Sequence, residues 1–168
     1  MEWMTELAMD RSSRSDSSDP LVEGFRAVYE ADVGRLVRLA HLITGSNAAA
    51  EDLVHDVFLA AFDRWDRIDD PHGYLYRAVV NRSRSFLRRR RNELTRRPES
   101  TGVAVAPEVD EMWTALARIS PRRRTALVLR YYADLPIDEI ADLMNARPGT
   151  VRSLIHRGHE SLREVLES

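Results

Sequence analysis

The stretch that decides the fold is "PIDEIADLMNARPGTVRSLIHRGHESL", which runs from Pro136 to Leu162. Apolar residues recur at helical spacing on both sides of a short "NAR" turn. Pro148 stands where the first position of a second helix is expected, because its fixed φ suits that position. A short helix, a tight turn and a longer helix have the proportions of a helix-turn-helix. The sequence therefore predicts this motif close to its C-terminal end.

The second helix of this motif is predicted to have two different faces. At 100° per residue, the apolar arc holds Val151, Leu154, Ile155, Gly158 and Leu162. The opposite arc holds Arg152, Ser153, His156 and Glu160, with Arg157 at its edge. Arginine can bond guanine edges bidentately, Ser and His can reach bases or phosphates, and Thr150 with the free N–H groups of the helix start suits a phosphate. The alternative is an amphipathic helix whose basic face is only solvated.

Charge is unevenly distributed along the chain, although the net charge is only −2. Residues 71–97 contain nine arginines and one acid, whereas residues 1–70 contain fifteen acids and seven arginines. A concentrated basic segment is what a nucleic-acid contact requires. The charge pattern therefore favours a polyanionic partner for the middle of the chain.

The helical pattern continues through most of the 168 residues. Helices are predicted over about 21–43, 48–65, 71–92, 108–119, 122–132 and 137–144, with stops or caps at Gly45, Ser46 or Asn47, and Asp70. Glu51 and Asp52 are expected in the first turn of the second helix, and Tyr131 is expected to face inward. The apolar stripe of the second helix comprises Leu53, Val57, Phe58, Ala61, Phe62 and Trp65. We predict an all-α fold with a disordered tail (1–20), two small domains (21–93 and 108–168) and a flexible linker (94–107).

The third predicted helix interleaves aromatic and basic residues in "YLYRAVVNRSRSFLRRRR". Bases of single-stranded DNA can stack on aromatic rings while guanidinium groups hold the phosphates. Asn81 lies in the middle of this helix, where its amide could contact an unstacked base. The alternative is structural, since Tyr74 and Phe86 would also suit a core and Asn81 could bond a neighbouring loop.

Several classes of protein are disfavoured by composition. The chain contains no cysteine, and its five histidines show no metal-ligand spacing, so we expect no metal. No apolar run approaches the roughly 20 residues that span a bilayer, and the N-terminus lacks the features of a signal peptide, so we expect no membrane insertion and a cytoplasmic location. No catalytic constellation or phosphate-binding loop is visible. We expect neither an enzyme nor a cofactor.

Three segments in order resemble a bacterial RNA polymerase sigma factor: "AEDLVHDVFLAAF", "YLYRAVVNRSRSFLRRRR" and "LPIDEIADLMNARPGTVRSLIHRG". The extracytoplasmic-function group is the most similar, in its actinobacterial type. That group keeps only sigma regions 2 and 4, which here correspond to about 22–93 and 108–166. A helix-turn-helix signature alone is common, but the three segments in this order and spacing are specific.

The resemblance implies roles for individual residues. Contact with the β′ clamp helices of core RNA polymerase would involve Asp52, Leu53, Asp56 and Val57. Reading and opening of the −10 promoter element would involve Tyr74, Tyr76, Arg77, Asn81, Arg82 and Arg84. Reading of the −35 element as duplex DNA would involve Thr150, Arg152, Ser153, His156 and Arg157. The C-terminal domain would also contact the β flap, and many members of the group are held by an anti-sigma factor.

Leu154 and His159 depart from the family, which often has basic residues at these positions. Losing two charges could weaken phosphate attraction at the −35 element.

Two other classes of function remain open on the sequence alone. A free-standing duplex-binding regulator would need the helix-turn-helix but not the aromatic and basic third helix. In a helical scaffold protein, the basic segment would be only a solvated surface.

Overall fold

The computed structural model describes residues 20–96 and 111–167, and within these ranges it contains helices and connections but no strand. The N-terminal domain comprises α1 (Pro20–Thr44), α2 (Asn47–Phe62), a 3₁₀ turn (Trp65–Arg67) and α3 (Pro71–Arg96). The C-terminal domain comprises α4 (Glu111–Ala117), α5 (Pro121–Leu127) with a π-helical continuation (Val128–Tyr132), α6 (Ile137–Met144) and α7 (Pro148–Leu166). The prediction of an all-α fold is confirmed.

The ends of the first helices follow local sequence signals. Gly45 adopts a φ of 79°, which costs a glycine little and stops α1. The Ser46 hydroxyl then accepts a hydrogen bond from the Ala49 N–H at 3.3 Å and caps α2. The Asp70 carboxylate accepts from the Gly73 N–H at 3.0 Å at the start of α3. These caps were predicted, and they fix where the chain turns between helices.

An aromatic cluster closes one end of the N-terminal domain. The Phe25 ring meets the Phe62 and Trp65 rings edge to face, with centroids 4.9 Å apart in both pairs, and the Phe58 ring at 5.9 Å. Edge-to-face pairs place the positive ring edge against the negative ring face. The cluster joins α1 to α2 and the 3₁₀ turn, and α3 packs against both α1 and α2.

The helix-turn-helix forms as predicted, and α6 has the predicted bounds. Asn145 takes the left-handed conformation after α6, with φ 45°, and the Ala146 N–H bonds to the Ala141 carbonyl at 2.9 Å. This is the Schellman arrangement, in which asparagine tolerates the conformation that glycine usually supplies. The buried side of α7 rests on α5 at Gly158, where an added Cβ would lie 3.0 Å from the Leu127 side chain. Helix α7 is therefore held close to α5.

The two domains pack directly against each other. Helix α5 and its π-helical continuation contact α1, and α6 contacts α3. Buried residues of both domains belong to one hydrophobic cluster. The sequence predicted two small domains joined by a flexible linker, and it did not predict which helices of the two domains would meet. Residues 97–107 of that linker, the tail (1–19) and the predicted start of the C-terminal domain (108–110) lie outside the described residues.

Four details of the sequence prediction are wrong. Helix α2 begins at Asn47, so Glu51 and Asp52 lie just beyond its first turn. It ends at Phe62 rather than at residue 65. Helix α3 extends to Arg96, because no helix breaker occurs before Pro98, so the first residues assigned to the linker are helical. Tyr131 is 61% exposed, because the π-helical turn shifts the register that an α-helical period predicts.

Candidate nucleic-acid and polymerase interface

Helix α7, the second helix of the helix-turn-helix, presents the predicted face to solvent. Val151, Ile155 and Gly158 are buried, and Leu154 and Leu162 are half-buried. All five residues predicted for DNA are exposed: Thr150, Arg152, Ser153, His156 and Arg157. The Ser153 hydroxyl donates to the Gly149 carbonyl at 3.0 Å, and the His156 Nε2 lies 3.9 Å from a Glu160 carboxylate oxygen. The face is basic and open, and its contacts with its own helix are the Ser153 hydrogen bond and the long approach of His156 to Glu160.

The start of α7 offers fewer free N–H groups than the sequence suggested. The N–H groups of Thr150 and Val151 donate to the Arg147 carbonyl at 2.9 and 3.1 Å. Pro148 has no N–H to offer. A phosphate at this end would therefore depend on the Gly149 N–H and the Thr150 hydroxyl more than on a row of backbone donors.

Helix α3 carries one stripe of exposed polar residues. Arg77, Asn81 and Arg88 are exposed and share a face, since they are spaced by four and seven residues. Arg77 lies 3.8 Å from the Asp70 carboxylate, a long and exposed ion pair. Tyr74 is half-buried and packs against the core, as the structural alternative predicted. Phe86 is also only half-buried. The stripe, rather than the aromatic residues, forms the accessible part of the predicted −10 site.

Two of the residues predicted to contact the −10 element face the other domain. The Arg84 guanidinium donates to the carbonyl oxygens of Leu143 and Met144 at the end of α6, the latter at 2.7 Å. Burial, together with the charges of Arg122 and Arg88, lowers the pKa of Arg84. In this arrangement Arg84 is engaged with protein rather than presented to solvent.

Tyr76 lies near the same contact between the two domains. Its hydroxyl is buried and has no hydrogen-bond partner among the described residues. Burial raises the pKa of Tyr76 above its usual value, and the nearby Glu139 of α6 acts in the same direction while Arg35 opposes it. The Arg35 guanidinium carbon lies 6.0 Å from the centroid of the Tyr76 ring. Charged residues of both domains, Arg35 and Glu139, therefore lie near Tyr76.

The α2 surface that the resemblance assigns to polymerase is only partly exposed. Asp52 and Asp56 are exposed and Leu53 is half-buried, but Val57 is 1% exposed and belongs to the core. The assignment of Val57 is corrected accordingly, because a side chain inside the core offers no surface to a partner. Asp56 also pairs with Arg82, with 3.0 Å between carboxylate oxygen and guanidinium nitrogen. This pair links the predicted polymerase face to the predicted −10 face.

Sequence reasoning missed the most buried arginine of the chain's described part. Arg124 is 5% exposed, and its guanidinium donates to the Ile43 carbonyl of α1 at 2.8 Å and the Leu116 carbonyl at 3.5 Å. Burial, with the charge of Arg90, lowers the pKa of Arg124 to about 10. The sequence did contain a signal for this burial, because Arg124 precedes Leu127 and Val128 by three and four positions and so shares their inward face.

The fold and the exposed faces define an all-helical protein with a helix-turn-helix whose outer face is basic. Comparison with known families then places it more closely. Residues 28–93 match the model of Sigma-70 region 2, and residues 110–162 match that of Sigma-70, region 4. Together these matches cover well over half of the chain. The chain belongs to the sigma-70 family and to its extracytoplasmic-function group.

Individual relatives agree with this assignment. The RNA polymerase sigma factor CarQ of Myxococcus xanthus is 30% identical over 88% of this chain and 83% of its own length. The extracytoplasmic-function sigma factor SigW of Bacillus subtilis is 23% identical over 99% of this chain and 98% of its own. The sigma factor RpoE of Bartonella quintana, solved with the anti-sigma factor NepR, has the same fold, with a TM-score of 0.71, 22% identity and coverage of 86% of this chain and 98% of RpoE.

Family membership identifies the general role. The chain is a transcription initiation factor that acts with core RNA polymerase at promoter DNA. No helix in residues 20–96 or 111–167 is long and apolar enough to cross a membrane.

Proposed function

We propose that this chain binds core RNA polymerase and directs it to promoters by reading a −10 element with α3 and a −35 element with α7. The observation that carries the proposal is the exposed stripe of Arg77, Asn81 and Arg88 on α3. An exposed amide between guanidinium groups can hold an unstacked base while the phosphates on either side are neutralised. Base capture of this kind would stabilise the melted strand. The chain itself would carry out no covalent chemistry.

The −35 element would be read as duplex DNA by α7. Its exposed arc supports this role because Arg152, His156 and Arg157 stand free of the core, whereas Val151 and Ile155 hold the helix from behind. A recognition helix needs this division between a rigid inner side and a polar outer side. Gly158 strengthens the inner side by allowing contact with Leu127.

Core polymerase would be held partly through α2. Asp52 and Asp56 provide exposed acids, and the half-buried Leu53 provides an apolar edge between them. Acids beside an apolar edge suit a partner surface with basic residues around a hydrophobic centre. The β flap would contact the C-terminal domain. These interactions would take place in the cytoplasm, where bacterial polymerase works.

An anti-sigma factor is the third partner that we propose. The Bartonella quintana sigma factor is solved with such a partner. On this chain it would compete with polymerase for the α2 face, so Asp52→Ala and Asp56→Ala would weaken both interactions. Loss of polymerase binding alone would contradict a shared surface.

Run-off transcription with purified core polymerase and a genomic promoter library tests the main proposal. Transcripts should require this chain, and Asn81→Ala should reduce them or change which promoters are used. Asn92→Ala is the matched control, because Asn92 is also exposed on the same side of α3 but lies about three helical turns beyond Asn81. Equal activity of both variants would show that Asn81 does not read the −10 element. Binding to duplex DNA without polymerase, together with no transcripts, would instead indicate a free-standing regulator.

A further inference from the structure

One ion pair joins the surface proposed for polymerase to the surface proposed for the −10 strand. The Asp56 carboxylate of α2 lies 3.0 Å from a guanidinium nitrogen of Arg82 on α3, and the two side chains meet because these helices pack together. The Asp56 side chain is 58% exposed and that of Arg82 is 43% exposed, so a partner can reach either group from outside. The pair is therefore accessible where the two proposed interfaces meet.

The two acids proposed to bind polymerase differ in their surroundings. Asp52 lies one turn before Asp56 on the same side of α2, is exposed, and forms no ion pair with any residue that the structure describes. Acids four residues apart on a helix repel each other weakly. Arg82 relieves this repulsion at Asp56, but it also neutralises one of the two charges that this face offers to a basic partner.

Arg82 stands at the edge of the exposed stripe on α3. It follows Asn81 directly, so its side chain leaves the helix about 100° away from that of Asn81, on the side that faces α2. A strand bound along the stripe presents its phosphates to guanidinium groups beside the bases. While Arg82 is paired, the Asp56 charge offsets the attraction of Arg82 for a phosphate and also repels the phosphate itself. The ion pair therefore weakens a phosphate contact that the stripe would otherwise gain.

We propose that Asp56 and Arg82 form an exchange pair, which couples the binding of polymerase on α2 to the binding of the opened strand on α3. A basic group of polymerase that takes Asp56 releases Arg82, and the released guanidinium binds a DNA phosphate. By linkage the converse also holds, so each partner raises the affinity for the other by the same factor. The identity of the two partners rests on the proposed function, whereas the pair itself rests on the distance and the exposure given above.

The coupling should be modest because the pair is exposed. Solvent and salt screen such pairs, which typically change an equilibrium by no more than about fivefold. We therefore expect a coupling of about two- to fivefold at low salt and a smaller factor as the salt concentration rises. A coupling of this size favours the complex that holds polymerase and strand together, and it leaves most of the affinity for each partner to other contacts.

A double-mutant cycle on the full chain tests the strand side of the exchange. Fluorescence anisotropy measures the binding of a labelled oligothymidylate, whose phosphates are the probe, to the parent, Asp56→Asn, Arg82→Gln and the double variant. Asp56→Asn should tighten binding about two- to fivefold at low salt, and the same change should have little effect once Arg82 is glutamine. An equal gain in both backgrounds would overturn the proposal, because the lost charge would then act on the strand without Arg82. Absence of any gain, or of any binding, would overturn it as well.

Glu51→Gln is the matched control for the lost charge. Glu51 is exposed on the same helix and forms no ion pair with the residues that the structure describes. Its replacement removes one negative charge from α2 and leaves the exchange pair intact. The control should bind oligothymidylate as the parent does. A gain equal to that of Asp56→Asn would show that net charge alone explains the effect, and the exchange pair would be refuted.

Core polymerase without DNA tests the opposite side of the exchange. Arg82→Gln releases Asp56, so this variant should bind core polymerase about two- to fivefold more tightly than the parent at low salt. An arginine that only stabilised α3, or that touched polymerase itself, would give unchanged or weaker binding when lost, and either result would overturn the proposal. The chain has no cysteine, so Glu30→Cys on α1 provides a single exposed site for the fluorescent label. Circular dichroism checks that the variants fold, which is expected because both side chains of the pair are exposed.

The exchange pair and the promoter function can fail separately. A cycle without coupling, together with transcription that needs this chain and Asn81, would refute the exchange and support the promoter role. A coupled cycle together with no transcription would support the exchange between an anion site and a cation site and refute the promoter role.

Discussion

Gly158 offers a quantitative test of how closely α7 packs on α5. A Cβ at this position would lie 3.0 Å from the Cγ and Cδ1 atoms of Leu127, which is itself only 4% exposed. Replacing glycine by alanine inside a helix normally stabilises it by about 1 kcal/mol. Crowding a well-packed core costs about 1–3 kcal/mol. The two effects oppose each other, so Gly158→Ala should range from no change to a loss of about 2 kcal/mol.

Gly34→Ala is the matched control, since Gly34 also lies within a helix but has no atom within 4 Å of its added Cβ. This variant should gain about 1 kcal/mol from helix propensity alone. Each kcal/mol corresponds to about 2–4 °C in Tm for a chain of this size. Thermal unfolding followed by circular dichroism should therefore place the Gly34 variant above the parent protein and the Gly158 variant at or below it. Equal gains in Tm would refute the close approach of the recognition helix to Leu127.

Three further predictions concern the proposed sites. Tyr76→Phe removes a buried hydroxyl that has no partner among the described residues. The variant should have a higher Tm, because desolvating an unpaired polar group costs about 1–3 kcal/mol. A lower Tm would show that the hydroxyl is hydrogen-bonded. Arg157→Ala should weaken binding to a −35 duplex about 5- to 150-fold in fluorescence anisotropy, because one base contact contributes about 1–3 kcal/mol. Arg163→Ala is the control on the same helix and should leave binding unchanged, because Arg163 pairs with Glu167 outside the predicted DNA face. Asp56→Ala should weaken polymerase binding in a pull-down. It should shift Tm by no more than about 4 °C, because the exposed ion pair with Arg82 contributes about 0–1 kcal/mol, and a larger shift would indicate a structural role.

Much of the fold could be predicted because its determinants are local. The caps at Ser46 and Asp70 and the bounds of α6 depend on residues within one or two turns. The division of α7 into a buried and an exposed face follows from its period alone. Local periodicity failed at Tyr131, where the π-helical turn changes the number of residues per turn.

The candidate sites were less predictable because they depend on which face meets the other domain. Helical periodicity placed Val57 on an apolar stripe, and its burial agrees with that stripe rather than with the surface role that the family resemblance implied. Nothing in the local pattern around Arg84 indicates that its acceptors lie about 60 residues away on α6. Arg124 similarly finds an acceptor on α1. Contacts between distant segments are decided by packing, which a single helical period does not encode.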